Sequence, residues 1–226
     1  MRKDKLDIIF EDKNIVVVNK PAHLLTVSTE KEHEKTLFHK VSDYEKTKHK
    51  SNKVFIVHRL DKDTSGVVVF AKNLKAKSLL QNNWDNLVKC REYIAIVEGK
   101  MDKNKGTIKS WLKENKNYVT YSSMHPGDGK LAITKYQLMA SNNKYSLLKI
   151  NIDTGRKNQI RVHMNDLSHP IIGDKKYGAK SDPIRRMGLH ATKLELIHPI
   201  TKEKLVLEAK IPLEFYKIFD KKTFTA

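Results

Sequence analysis

The chain has 226 residues, enough for one large domain or two small ones with a substantial core. Lysine and arginine number 44 against 26 aspartates and glutamates, and the formal net charge of +18 favours a polyanionic partner. A single cysteine excludes an internal disulfide framework, and no apolar run approaches the roughly 20 residues that span a bilayer. The sequence also contains no long basic amphipathic helix of the kind that binds to a membrane surface. We therefore expect a cytoplasmic protein without membrane association.

Hydrophobic patterning in the first quarter of the chain predicts strands at residues 8–10 and 15–18. The stretch 29–53 is highly charged and contains a weak amphipathic helix, on which Leu37, Val41 and Tyr44 share a face. An exposed basic loop is expected at residues 46–53.

Short strands and turns dominate the remainder. Asn73 is positioned to cap a helix that runs to Val88. Further elements are predicted as strands at 93–97, 132–138, 145–150, 194–197 and 205–209, and helices at 157–167 and 212–219. The pattern indicates an α+β protein with a mixed, mostly antiparallel sheet and flanking helices. No break in composition demands two domains.

The most informative segment reads HRLDKDTSGVVVFAK, residues 58–72. Apolar runs at 54–57 and 67–71 flank a polar turn, so two buried strands would hold Asp61 in a fixed place near Arg59. Rigid strands that present a polar loop often carry catalytic groups. Because Asp, Thr, Ser and Gly are also ordinary turn residues, spacing alone favours a simple hairpin turn over a catalytic site.

A second segment, REYIAIVEG at residues 91–99, reads as a strand that ends at Gly99. Alternation along it places Tyr93, Ala95 and Val97 on one face. A tyrosine in this position can stack on a nucleobase or fill the core.

A third segment, DTGRKNQIRVH at residues 153–163, joins a strand end to a helix start. A helix N-terminus beside Arg156 and Arg161 would suit an anion. Arg161 lies about 100° around the helix from Ile160, at the edge of the buried stripe. It is placed either to extend along the surface or to reach inward to a carboxylate such as Asp61, whose ionised form it would then stabilise.

Metal and nucleotide cofactors are not expected. The 10 histidines lack the spacing of a metal site, including His190 and His198 near the end of the chain. The sequence also lacks a phosphate-binding glycine loop and a dinucleotide fingerprint.

These segments, together with HPIIGDKKYG (169–178) and LHATKLELIHP (189–199), occur in the order seen in RluA-type pseudouridine synthases, which the chain resembles from about residue 8 to about residue 212. The resemblance implies the pseudouridine synthase fold with a central active-site cleft. The family isomerises uridine to pseudouridine within RNA: the N-glycosidic bond breaks, the uracil turns, and a C–C bond forms to the same ribose. No metal or organic cofactor takes part.

The resemblance also implies roles for individual residues. Asp61 matches the catalytic aspartate, which acts either as a nucleophile at the ribose or as a base that removes a ribose proton. Arg161 matches its partner arginine, and Tyr93 matches the tyrosine that stacks on the target base. Candidate substrate-binding residues are Ile160 beside the base, Arg59 as a filler of the vacated base stack, and His58 and Thr64 around the aspartate.

Two departures from the family pattern bear on loops or RNA contacts. His23 stands where the family usually has glycine, and Lys157–Asn158 replace the usual Thr-His. The small RNA-binding domain that precedes many members is expected to be absent, which leaves residues 1–226 as a single catalytic domain and a monomer. The expected substrate is a stem-loop of ribosomal or transfer RNA.

Three other functions account for parts of the same pattern. They are a non-catalytic RNA-binding protein, a nucleoside hydrolase that releases uracil, and a basic protein in which Asp61 and Arg161 form a structural pair.

Overall fold

The structure is a computed structural model that describes residues 6–28 and 36–224. Its strands are β1 (Ile8–Glu11), β2 (Ile15–Lys20), β3 (Phe55–Ile56), β4 (Ser65–Ala71), β5 (Val88–Glu98), β6 (Lys105–Glu114), β7 (Thr120–Ser123), β8 (Lys130–Ser141), β9 (Tyr145–Ile152), β10 (Leu189–Ile197) and β11 (Lys204–Glu208). The α-helices are α1 (Leu37–Lys48), α2 (Leu74–Asn82), α3 (Trp84–Leu87) and α4 (Gln159–Asp166), with 3-10 helices at Lys175–Tyr177, Leu213–Lys217 and Lys221–Phe224. A mostly antiparallel sheet with few helices confirms the predicted α+β class.

The chain divides into two compact units, residues 1–90 with 191–210, and residues 91–190 with 211–226. In the first unit the strand order is β1-β2-β4-β10, with β11 beside β10 and β3 beside β4. Strand β4 is buried along its whole length and pairs with β2 from Ile15↔Ala71 to Lys20↔Gly66. Runs of valine without polar alternation are typical of strands that are covered on both faces. The first unit therefore holds β4 rigidly, and the Asp61 segment leads directly into it.

The second unit contains the order β5-β9-β8-β6-β7, built mainly from hairpins. Alternation along β5 is as predicted. Ala95 and Val97 lie in one hydrophobic cluster with Tyr93 packed against it, whereas Ile94 and Ile96 lie in another. The predicted hairpin around residues 141–144 is also confirmed, with strands longer than expected.

Several predicted helices have different bounds. Asn73 caps α2 by accepting a hydrogen bond from the Ala76 N–H at 2.9 Å, but α2 ends at Asn82 and the prediction that it continues to Val88 is wrong. Asn83 separates α2 from the short helix α3, and Val88 already belongs to β5. The C-terminal segment forms a 3-10 helix over Leu213–Lys217 rather than a longer helix.

The charged stretch also differs in detail. Helix α1 extends to Lys48, so the predicted basic loop at 46–53 begins inside a helix, and residues 29–35 lie outside the described residues. Leu37 and Val41 are buried as predicted, but the third fully buried side chain is Glu45 and Tyr44 is half-buried. Glu45 is buried because Lys48 and Lys72 bind its carboxylate at 2.9 and 3.2 Å. Within the described residues, no helix is both long and apolar enough to cross a membrane.

Candidate active site

Residues 57–64 connect β3 to β4 and carry Asp61. Leu60, the residue before it, is buried, and its backbone is held by Thr26, whose hydroxyl donates to the Leu60 carbonyl at 2.7 Å and accepts from the Leu60 N–H at 3.2 Å. On the other side, the buried Thr64 donates its N–H to the Asp61 carbonyl at 3.2 Å. Backbone contacts before and after Asp61 thus fix its Cα, and its side chain is half-buried.

A buried lysine provides a further anchor. Lys20 ends β2 and has no exposed surface, and its ammonium donates to the carbonyls of Pro21, Leu24 and Lys62 at 3.0, 2.7 and 2.9 Å. A buried charge is tolerated only where its donors are satisfied. Because the Lys62 carbonyl directly follows Asp61, Lys20 ties the end of β2 to the segment that presents the carboxylate.

Gly66 determines how β4 begins immediately after this turn. Its φ is +119°, a conformation that favours glycine, and a Cβ at this position would lie 2.1 Å from the Ala191 carbonyl oxygen. Only a residue without a side chain allows β10 to approach so closely.

The other predicted residues of this turn occupy different environments. The His58 ring accepts a hydrogen bond from the Val69 N–H through Nε2 at 3.0 Å and packs 4.8 Å from the Trp84 ring. Arg59 is exposed. These contacts make His58 part of the support for the turn, whereas Arg59 projects where a ligand can reach it.

Arg161 lies on α4 in the second unit. Its side chain is 10% exposed, and it makes a bidentate pair with Asp174, from Nε to Oδ2 and from Nη2 to Oδ1, both at 2.7 Å. Of the two placements left open for Arg161, along the surface or inward to a carboxylate, the structure shows the inward one, and the carboxylate in this unit is Asp174, which was not among the predicted site residues. The parallel geometry fixes the plane of the guanidinium as well as its position.

Two more side chains complete this cluster. Asn158 Oδ1 accepts a hydrogen bond from Arg161 Nη1 at 3.1 Å, and its amide donates to the Tyr177 hydroxyl at 3.0 Å. The Tyr177 ring lies 4.9 Å from the Arg161 guanidinium carbon, a cation–π contact. Asn158 has a φ of 55°, in the left-handed region that asparagine tolerates well. Asn158, which together with Lys157 replaces the family's usual Thr-His, therefore fits both the backbone and the cluster.

Buried polar side chains hold α4, beginning at its N-terminal end. Gln159 accepts from the Thr154 hydroxyl at 2.8 Å and from the Arg156 N–H at 3.0 Å, and donates to the Ile133 carbonyl at 2.9 Å. One turn later His163 is fully buried between the hydroxyls of Ser110 and Thr134, at 2.9 and 2.8 Å. Burial lowers the pKa of His163 to about 4, so the ring is neutral at pH 7.

Tyr93 and Ile160 share one environment. Ile160 is buried in the same hydrophobic cluster as Ala95 and Val97, and Tyr93 packs against that cluster from β5. The second unit thus brings Tyr93, Ile160 and Arg161 together on one framework, while Asp61, Arg59, His58 and Thr64 belong to the first unit. In the described residues, no group of three or more His, Cys, Asp or Glu side chains is arranged to hold a metal ion.

Comparison with known proteins identifies the family. The family model described as RNA pseudouridylate synthase matches residues 14–166, more than half of the chain. The chain belongs to this family. The RluA-type resemblance is confirmed at the same time, because ribosomal large subunit pseudouridine synthase D of Haemophilus influenzae is 33% identical over 229 residues, covering 95% of this chain and 70% of that protein.

Other RNA pseudouridylate synthases are similar over comparable lengths. The uncharacterised RNA pseudouridine synthase YhcT of Bacillus subtilis is 41% identical over 212 residues, covering 93% of this chain and 70% of that protein. The solved structure of human RNA pseudouridylate synthase domain containing 4 superposes with a TM-score of 0.76 at 25% identity, covering 92% of this chain and 90% of that one. The fold is therefore that of a pseudouridine synthase.

As an RNA pseudouridylate synthase, the protein is an isomerase that acts on RNA. All seven residues predicted for the site lie within the matched range 14–166. Asp174 and Tyr177, which hold Arg161, lie beyond it and became visible only through their contacts. The clue in the sequence was the segment GDKKYG, where an aspartate and a tyrosine follow a buried Ile-Ile pair.

Proposed function

We propose that this RNA pseudouridylate synthase converts uridine to pseudouridine in RNA of the large ribosomal subunit, with Asp61 as the catalytic residue. The substrate class is suggested by the relatives named ribosomal large subunit pseudouridine synthase D, from Haemophilus influenzae and Escherichia coli. The observation that carries the assignment of Asp61 is the turn that presents it, since hydrogen bonds fix the backbone on both sides of a half-buried carboxylate. The net charge of +18 suits an RNA substrate.

Each remaining predicted residue has a part in this proposal. Arg161 is the second catalytic residue of the proposal, and Asp174 holds its guanidinium in one plane. Tyr93 stacks on the target uracil, with Ile160 packed beside the same base. Arg59 fills the gap left when the uridine turns out of its stack, a step that costs a few kcal/mol. His58 and Thr64 shape the turn around the substrate.

The working unit of this proposal is the whole chain. Residues 1–226 act as a single catalytic domain and a monomer in the cytoplasm, where ribosomal RNA is available. Support for a shared task comes from the segments that carry the resemblance, which come from both compact units.

Two roles are open to Asp61. As a nucleophile, its carboxylate attacks C1′ of the ribose while the N1–C1′ bond breaks and uracil leaves as an anion, and uracil C5 later displaces the carboxylate from C1′. As a base, it removes the C2′ proton while uracil leaves as an anion, and it returns that proton to C2′ as the C5–C1′ bond forms. In both roles the proton on C5 is then lost and N1 gains a proton, so the overall change is an isomerisation. Substrate RNA with deuterium at C2′ separates the two, because only the base mechanism breaks the C2′–H bond and slows by a primary isotope effect.

The test of the proposed function is conversion of purified ribosomal RNA that lacks modification, with pseudouridine mapped by position. The wild-type protein should produce pseudouridine at a defined uridine of large-subunit RNA, and Asp61→Asn should produce none while it still binds that RNA. Asp63→Asn is the matched control, since Asp63 lies in the same turn, half-buried and bound to His23 at 2.9 Å, and should retain activity.

Three outcomes would contradict this proposal. Pseudouridine formation by Asp61→Asn would remove the aspartate from the chemistry. Conversion of transfer RNA alone would replace the substrate, and release of free uracil would indicate a hydrolase.

A further inference from the structure

The turn between β6 and β7, residues 115–119, exposes an aromatic side chain at its tip. Tyr118 is 75% exposed, although tyrosine rings usually bury most of their surface. Its neighbours Lys116 and Asn117 are exposed as well, whereas Val119 turns inward and packs against the cluster that contains Leu112 and Val162. The ring is therefore presented to solvent by a turn whose next residue is anchored.

Hydrogen bonds within this turn hold its backbone in place. Asn115 Oδ1 accepts from the N–H groups of Asn117 and Val119 at 2.9 and 3.0 Å, and the Tyr118 N–H donates to the Asn115 carbonyl at 3.0 Å. Tyr118 itself has a φ of 57°, a left-handed conformation that strains a bulky residue and that glycine or asparagine would adopt more easily. Strain of this kind at an exposed position is typical of functional sites.

Two lysines lie close to Tyr118. Lys157 Nζ lies 5.9 Å from the centre of the Tyr118 ring, and Lys176 Nζ lies 3.4 Å from the Tyr118 carbonyl oxygen. Lys157 also pairs with Glu114 at 2.6 Å, but both side chains are exposed, so solvent screens this pair and leaves Lys157 open to a phosphate. A cavity of about 390 Å³ opens beside the turn and is lined by Lys113, Lys130, Arg156 and Lys157, together with Glu114.

We propose that Tyr118 is a stacking platform for an unpaired base of the RNA substrate, other than the uridine that reacts, and that Lys157 and Lys176 bind the phosphates flanking that base. An exposed ring offers a flat apolar face to any base, and lysines placed around it suit the backbone on either side. The lysine-rich surroundings favour RNA over a protein partner, whose contact site would need an apolar core.

This platform connects to the Arg161 cluster within the second unit. Lys176 Nζ lies 5.8 Å from the centre of the Tyr177 ring, and the Arg161 guanidinium carbon lies 4.9 Å from the same ring. Tyr118, Lys176, Tyr177 and Arg161 therefore form one continuous series of contacts. The stacked base consequently belongs to the same RNA segment as the target, and the inference rests on the proposed function.

The test measures binding and turnover separately. Fluorescence anisotropy with a labelled 12-nucleotide oligouridylate reports binding to an unpaired strand, and a blunt 12-base-pair RNA duplex is the comparison probe. Tyr118→Ala should weaken oligouridylate binding by about tenfold, as expected for the loss of one stacked base, while Tyr118→Phe should bind like the wild type. Duplex binding should change little in both variants. On ribosomal RNA, Tyr118→Ala should raise KM and leave kcat nearly unchanged.

Charge variants and a control complete the experiment. Replacing Lys157 and Lys176 together by glutamine should reduce the slope of log affinity against log salt by about 2, whereas Lys103→Gln, at an exposed site outside the platform, should reduce binding far less. Equal binding by Tyr118→Ala and the wild type would overturn the proposal and direct attention to a protein partner. A wild-type protein that forms no pseudouridine would instead reject the proposed function, and the oligouridylate measurement would still decide the platform.

Discussion

At the scale of single residues, the Arg161 cluster shows why one arginine needs several neighbours. Asp174 accepts hydrogen bonds from two nitrogens on one edge of the guanidinium, Asn158 accepts from the third nitrogen, and Tyr177 covers its face. A buried ion pair of this kind adds little stability compared with an apolar pair of the same shape, but removal of one partner leaves an uncompensated charge. The cluster therefore fixes orientation more than it strengthens the fold.

Asp174→Asn tests the importance of this pair. The amide keeps the shape but not the charge, so Arg161 is left buried without its carboxylate, and we expect a loss of about 3 kcal/mol in the free energy of unfolding. We also expect a lower kcat on ribosomal RNA with a smaller change in KM. Urea unfolding and single-turnover kinetics measure the two effects.

Asp128→Asn is the matched control for that variant. Asp128 binds Lys113 at 2.7 Å on the surface, where solvent screens the pair, and its loss should not measurably change stability. Equal stability of the Asp174 and Asp128 variants would contradict the importance of the buried pair.

His163 predicts how stability changes with pH. Its pKa is about 4 in the folded protein because of burial, below the ordinary value of 6.5, so the unfolded chain binds the proton more tightly. The stability it contributes is complete above pH 6.5 and is lost as the pH falls to 4, by about 3 kcal/mol in total. Urea midpoints at pH 7 and pH 4.5 should lie closer together in His163→Gln than in the wild type, and His125→Gln, at an exposed position, should behave like the wild type. If the urea midpoints of His163→Gln at pH 7 and pH 4.5 differed by as much as those of the wild type, this prediction would be wrong.

At the scale of secondary-structure elements, strand β4 carries the Asp61 turn, and Gly66 sets its approach to β10. Gly66→Ala should cost more than about 4 kcal/mol, because a methyl group would overlap the Ala191 backbone and the residue has a positive φ. Gly127→Ala separates the energetic cost of backbone strain from that of steric overlap. Gly127 also has a positive φ, of 80°, but nothing lies within 4 Å of an added Cβ, and we expect a loss of about 1 to 2 kcal/mol. Similar denaturation midpoints for the two variants would contradict the close packing of β4 against β10.

The strands were largely predictable, because short continuous apolar runs such as 15–18 and 67–71, bounded by polar turns, are typical of buried strands. The end of α2 was not, since Leu80, Trp84 and Leu87 keep a helical spacing across the break at Asn83. The segment that carries Asp61 was recognisable from the sequence, and the catalytic role of Asp61 stays a prediction. Lys20 and Asp174 were missed because their contacts join positions 42 and 13 residues apart, which no local pattern reveals.

At the scale of the whole molecule, the excess of lysine and arginine determines how strongly the protein attracts RNA. Some of that charge is already used internally. Glu11 illustrates this: burial alone would raise its pKa, but hydrogen bonds from Lys48, Lys72 and Tyr44 lower it to about 2. Lys48 is therefore committed to the protein, although it lies in the basic stretch 46–53. The exposed lysines of the same stretch remain candidates for contacts with phosphate, namely Lys46, Lys50 and Lys53.

Salt dependence distinguishes these uses of charge. Each lysine that binds a phosphate releases counterions, so RNA affinity should fall steeply and linearly on a plot of log affinity against log salt. Replacing Lys46, Lys50 and Lys53 by glutamine should reduce that slope by about 2 to 3, with a weaker affinity at low salt. The control changes the same amount of charge at exposed sites elsewhere, namely Lys13, Lys103 and Lys210. If both triple variants reduced the slope equally, net charge alone would account for binding, whereas a selective effect of the first triple would make the stretch after α1 a part of the RNA-binding surface.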